Sequence, residues 1–152
     1  MNLVLVGYRG TGKSAVCAAL ARRLGLRCVG MDALIAARAG CPIPEIVRRL
    51  GWPGFRDLES EVALELADLD QIVVDTGGGV VERPGNMAAL RRNAHVFWLR
   101  ASVGTIVGRI AGDAGRPPLT AGKTFTEEVA EVLARRTPWY RESATTPSTP
   151  TP

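Results

Sequence analysis

The sequence predicts an α/β fold in three layers, a parallel sheet of four strands with helices on both faces. Three observations carry this. Short, nearly continuous apolar runs recur at 2–6, 27–31, 71–75 and 95–100, the pattern of strands covered on both sides. Segments of helical spacing lie between them, and such alternation closes as parallel strands with right-handed crossovers. Finally, Gly7-Tyr8-Arg9-Gly10-Thr11-Gly12-Lys13-Ser14 joins the first run to a string of helix formers.

Taken in order, Leu3-Val4-Leu5-Val6 makes the first strand, and Ala15-Val16-Cys17-Ala18-Ala19-Leu20-Ala21 lies in a helix over 12–24. Arg27-Cys28-Val29-Gly30-Met31 is the second strand, followed by helices over 32–39, about 43–50 and 55–69. Gln71-Ile72-Val73-Val74-Asp75 is the third strand, with a helix over 84–92 behind it. His95-Val96-Phe97-Trp98-Leu99-Arg100 is the fourth, and helices over 102–112 and 125–136 follow. The last begins with a capping box, Thr124-Phe125-Thr126-Glu127. Thr145 to Pro152 holds three prolines and no apolar residue, so a disordered tail is expected there.

The 152 residues suit one domain, over 1–144. Hydrophobic content of 46% and charged content of 22% are those of an ordinary globular chain. No apolar run reaches the length of a membrane span, and glycine at position 7 interrupts any leader-like segment, so the cytoplasm is expected. Cys17, Cys28 and Cys41 have no C-x-x-C spacing and read as buried thiols. The net charge is +4, but the basic residues are scattered in pairs without interleaved aromatics, which argues against a nucleic-acid partner. His95, the single histidine, reads as a packing or edge residue, and Trp52, Trp98 and Trp139 as packing.

The chemistry begins at the glycine-rich loop. Strand, G-x-x-x-x-G-K-S and helix in that order define a phosphate-binding loop and, with the parallel sheet, a P-loop NTPase fold. Backbone N–H groups from Gly10, Thr11, Gly12, Lys13, Ser14 and Ala15 form an anion nest at a helix N-terminus. The Lys13 ammonium reaches the outer phosphates of ATP, and the Ser14 hydroxyl is a ligand for Mg²⁺. Ligands gather at the carboxyl ends of the strands, which brings the residues just past 6, 31, 75 and 100 into one crevice.

Those positions carry further candidates: Asp32 after the second strand, and Asp75 with Gly77-Gly78-Gly79 after the third. Phe55-Arg56-Asp57-Leu58-Glu59 opens a helix, Arg116-Pro117-Pro118-Leu119 lies in a glycine-flanked segment, and Arg136-Thr137-Pro138-Trp139-Tyr140 closes the last helix. In this order the set resembles the shikimate kinase family over about residues 2–144. The resemblance implies phosphoryl transfer from ATP, with Mg²⁺, to the 3-hydroxyl of shikimate. It implies that Asp32 binds the substrate hydroxyls and orients or deprotonates the attacking one, that Arg56 and Arg136 grip the carboxylate, and that Gly77, Gly78 and Gly79 approach the ring. Glu59 would hold Arg56, Arg109 would lie beside the adenine, and Arg116 would close a mobile lid over about 112–124 onto the phosphoryl group. A monomer is implied. The chemistry fits, since phosphoryl transfer needs positioning and charge neutralisation, and arginine's fork matches a carboxylate.

Two features depart from the family pattern. Gly30 stands where an Asp-x-Asp motif has its first carboxylate, and Asp75 ends an apolar strand where the family has a small residue, so Asp75 is expected to replace it at the metal. The chain also lacks the family's fifth strand and closing helix, which leaves an exposed edge where weak self-association would start. Two other readings stay open: a catalytically impaired nucleotide-binding relative, and a kinase for another small hydroxy acid such as gluconate. A guanine-reading Asn-Lys-x-Asp motif is missing, which removes a GTPase switch.

Overall fold

The structure, a computed structural model, describes residues 1–110 and 124–145. Four strands, β1 (Asn2–Val6), β2 (Arg27–Gly30), β3 (Ile72–Asp75) and β4 (Ala94–Trp98), form one parallel sheet in the order β2-β3-β1-β4. Leu3 pairs with Val73 on one side and with His95 on the other, so the strand that feeds the phosphate loop lies inside the sheet.

The helices are α1 (Lys13–Leu24), α2 (Met31–Ala39), α3 (Ile43–Ala67), α4 (Pro84–Leu90), α5 (Val103–Ile110) and α6 (Phe125–Ser143). Period-two alternation along β1 divides the core. Val4 and Val6 join Met31, Ile35, Phe55, Val62, Leu66 and Tyr140 in the larger apolar cluster. Leu5 joins Cys17, Ala21, Val73 and Leu99 in the smaller one under α1. A third cluster ties Tyr8 to Ile106 and Ile110 of α5 and to Val129 and Val132 of α6. This is the three-layer P-loop architecture.

Several boundaries shift for physical reasons. Met31, placed at the end of a strand by its apolarity, starts α2 with its side chain fully buried. The helices expected over 43–50 and 55–69 are two arms of α3, which bends at Gly51, where φ is 71° and helical geometry is lost. Phe55 and Glu59, both fully buried, fix the second arm. Helix α6 runs on to Ser143 through Pro138. The Thr137 hydroxyl donates to the Leu133 carbonyl at 2.7 Å in the turn that proline disturbs. The capping box forms, with the Glu127 N–H donating to Thr124 Oγ1 at 3.2 Å.

Cys17 and Cys28 are not separate buried thiols. They form a disulfide across 5.9 Å between Cα atoms, joining α1 to β2, and only Cys17 is buried. Thr145, expected at the head of a disordered tail, lies against β4. Its N–H donates to the Val96 carbonyl at 2.9 Å, and its Oγ1 accepts from the Val96 N–H at 2.9 Å. The rest of the expected tail and the expected lid, apart from Thr124, lie outside the described residues. Among the described residues, no helix is long and apolar enough to cross a membrane.

Candidate active site

At the carboxyl end of β1 the chain turns through Gly10 (φ 81°) and Gly12 (φ 95°), values that side-chain-bearing residues rarely adopt. A methyl group at Gly10 would also press on Ile110 Cγ2, 2.9 Å away. The loop is held from within. Lys13 is buried, and its ammonium donates to the carbonyls of Gly7 at 2.7 Å and Tyr8 at 2.9 Å. The Thr11 hydroxyl donates to the Tyr8 carbonyl at 2.7 Å. Thr11 lines a smaller neighbouring cavity with Tyr8 and Trp98 and not the main one.

A cavity of about 660 Å³ opens beside this loop, lined by Gly10, Gly12, Lys13, Ser14 and Ala15. Asp32, Asp75, Gly77, Gly78 and Arg109 share the same walls, as do Arg9 and Gly30. The sheet brings them there: β2 ends at Gly30, β3 at Asp75, and these two are register partners. The Ser14 hydroxyl donates to Asp75 Oδ2 at 2.7 Å. Arg109, from α5, reaches across to the Gly10 carbonyl at 3.0 Å.

The glycine run after β3 makes room for four charged side chains in succession. A Cβ at Gly77 would lie 2.8 Å from Asp32 Oδ1 and 3.1 Å from Glu59 Oε2. One at Gly78 would meet Arg136 Nη1 at 3.3 Å, and one at Gly79 would overlap the Arg56 guanidinium. These glycines are needed for close approach, and Gly79 serves as a floor beneath Arg56 without lining the main cavity. Tyr140, stacked on Trp98 with ring centres 6.2 Å apart, donates its hydroxyl to the Gly78 carbonyl and so pins the run from α6.

Arg56 and Arg136 do meet, but on a residue the sequence reading missed. Glu82 Oε2 accepts from Arg136 Nη2 at 2.6 Å, from Arg136 Nε at 3.1 Å and from Arg56 Nη2 at 3.3 Å. Burial would raise the Glu82 pKa, but Arg136, Arg56 and Arg135 outweigh it and hold the carboxyl below its usual range. Arg56 also donates to Glu59 Oε1 at 3.0 Å, as the resemblance implied. Burial pushes the Glu59 carboxyl up despite Arg56. Trp52, read only as packing, lies 5.3 Å from the Arg56 guanidinium carbon, and Arg56 opens onto a neighbouring cavity of about 370 Å³. An acidic residue three places past a glycine triplet, in an otherwise apolar turn, was the available signal for Glu82. Arg116 lies outside the described residues.

A strand-fed glycine loop with a buried lysine, opening onto a cavity that the carboxylates of Asp32 and Asp75 also line, defines a P-loop phosphotransferase. The family model for shikimate kinase matches residues 9–151, and this chain belongs to that family. It is 41% identical over 146 residues to the shikimate kinase of Oleidesulfovibrio alaskensis, covering 94% of this chain and 84% of that one. It is 44% identical to that of Geobacter sulfurreducens, covering 93% and 78%. Among solved structures, shikimate kinase from Acinetobacter baumannii in complex with shikimate superimposes with a TM-score of 0.94 at 32% identity, covering 99% of this chain and 84% of that one.

Proposed function

We propose that this protein transfers the γ-phosphoryl group of ATP to the 3-hydroxyl of shikimate, giving ADP and shikimate 3-phosphate. The observation that carries the reading is the glycine run 77–79: Gly77 and Gly78 line the phosphate-loop cavity together with Asp32, and Arg136 and Arg56 pack directly against Gly78 and Gly79. The relatives named above are shikimate kinases, which favours this over a gluconate kinase or an impaired nucleotide binder.

In this mechanism the loop N–H groups and Lys13 hold the β- and γ-phosphates. Arg56 and Arg136 grip the carboxylate of the acceptor and set its ring against Gly77 and Gly78. Asp32 orients the acceptor hydroxyl and receives its proton as the new P–O bond forms and the bond to the β–γ bridging oxygen breaks. Glu59 keeps Arg56 in place. Arg109 is assigned to the adenine side, and Arg116 to the closing lid, where its charge would meet the transferring group.

Mg²⁺ is the cation this reading requires. The donor set fits a hard ion: the Ser14 hydroxyl and the Asp75 carboxylate, 2.7 Å apart on the cavity wall, both offer oxygen. These two residues would hold the ion, which would neutralise charge on the phosphate oxygens. The protein is assigned to the cytoplasm, where ATP is at hand, and to a monomeric state.

The test is a steady-state assay with shikimate, ATP and Mg²⁺, following ADP release and shikimate phosphorylation together. Equal rates of both support the reading. Tight ATP binding with no phosphorylated product would leave only a nucleotide-binding protein.

A further inference from the structure

Glu82 is the last residue of a short 3₁₀ turn, Val80–Glu82, that begins directly after the glycine run. Its carboxylate sits between helices that are far apart in sequence, taking Arg56 from α3 and Arg136 from α6 on one oxygen. The other oxygen accepts from Arg135 Nη2 at 3.1 Å. Arg136 is 4% exposed and Glu82 21%, so this is a largely desolvated carboxylate held by three guanidinium groups. An arginine pair of this kind is also the arrangement that recognises the carboxylate of a small molecule. The same donors cannot serve two carboxylates at full strength.

We infer that Glu82 is an internal competitor for the Arg56–Arg136 clamp, occupying it when no acceptor is bound and setting how tightly a carboxylate-bearing acceptor is held. This rests on the reading of Arg56 and Arg136 as the acceptor's carboxylate clamp. When the acceptor enters, Glu82 gives up Arg56 and Arg136 and keeps Arg135, which it already holds through Oε1. The Arg135 side chain is 47% exposed, so the displaced ion pair can move toward solvent. Without an acceptor, Glu82 neutralises the buried Arg136, a charge costly to leave unpaired, and shares Arg56 with Glu59. The chain thereby trades acceptor affinity for a stable empty site, and ligands without a carboxylate gain nothing from displacing Glu82.

Glu82→Gln keeps the shape and removes the charge. The expected result is a KM for shikimate about tenfold lower, with kcat and the KM for ATP within twofold of the parent. A KM that rises or stays the same overturns the inference, because Glu82 would then be organising the arginines. Should Glu82→Gln fail to fold, Arg135→Ala on the exposed face replaces it. Removing the alternative partner should raise the KM for shikimate with kcat unchanged, and an unaltered KM overturns the inference. The parent enzyme distinguishes this failure from a wrong function: if it does not phosphorylate shikimate at all, the clamp reading falls and the inference with it. Turnover by the parent with no KM response in the variant rejects Glu82 alone.

Discussion

Gly30 and Asp75 are register partners on the adjacent parallel strands β2 and β3, so the Asp75 carboxylate stands on the same face as the side chain Gly30 lacks. Both residues line the phosphate-loop cavity, and Asp75 is hydrogen-bonded to Ser14. We propose that Asp75 takes the metal role of a carboxylate expected at position 30, which places that charge one strand across the sheet.

Asp75→Asn is expected to raise the Mg²⁺ concentration for half-maximal activity by about 10- to 100-fold, the worth of one charge-assisted contact. Binding of ATP without metal should change little. The double variant Gly30→Asp, Asp75→Ala should recover most of the loss. A Cβ at position 30 meets only Ala33 Cβ at 3.8 Å, so the aspartate fits. The check is calorimetric titration of Mg²⁺ into the ATP complex; identical curves for parent and Asp75→Asn would reject the relocated carboxylate.

Gly79→Ala should drive the Arg56 guanidinium off its floor, since the added methyl group overlaps it. We expect a KM for shikimate raised at least tenfold, ATP affinity unchanged, and a stability loss of about 1–3 kcal/mol. Urea unfolding and steady-state kinetics read the two effects separately. A neutral outcome in both would show that Arg56 has room to move.

The buried Glu59 and the half-buried Glu82 give opposite pH responses. Glu82 has its pKa lowered below the ordinary 4.5, so its stabilising contribution is present above that value and fades as pH falls through the shifted one. Glu59 has its pKa raised above 4.5, so the folded state binds more protons there. Its contribution is greatest below 4.5 and fades as pH rises through the shifted value. Glu59→Gln should therefore flatten the decline in stability on the alkaline side of 4.5, and Glu82→Gln the decline on the acid side. Denaturation midpoints measured from pH 3 to pH 8 (about the range where carboxyls titrate) decide this, and unchanged slopes count against both assignments.

The Cys17–Cys28 bridge closes a loop of sequence separation 11. Loop-closure entropy gives it about 3 kcal/mol of stability. Adding a dithiol reductant should lower the unfolding midpoint of the parent and leave that of Cys28→Ser unaffected. Equal midpoints with and without reductant would mean that the bridge contributes nothing to the fold.

Sequence alone reached the architecture and most of the residues that line the phosphate-loop cavity because both are written in local signals. The apolar period fixed four strands and their helices, and the glycine spacing fixed the phosphate loop. The order of Asp32, Arg56, Gly77 to Gly79 and Arg136 along the chain carried the family resemblance. The strand runs and the loop spacing depend on residues near each other in sequence, where backbone sterics and periodicity act directly. What depended on long-range pairing was out of reach. The strand order set Asp75 beside Gly30. The bend at Gly51 aimed the Arg56 arm of α3, and α6 brought Arg136 onto Glu82, 54 residues away in sequence. Cys28 met Cys17 only because β2 lies next to α1. No propensity predicts which charged groups will share a buried space; that is decided when helices pack on the sheet and each guanidinium must find a partner or pay for its desolvation.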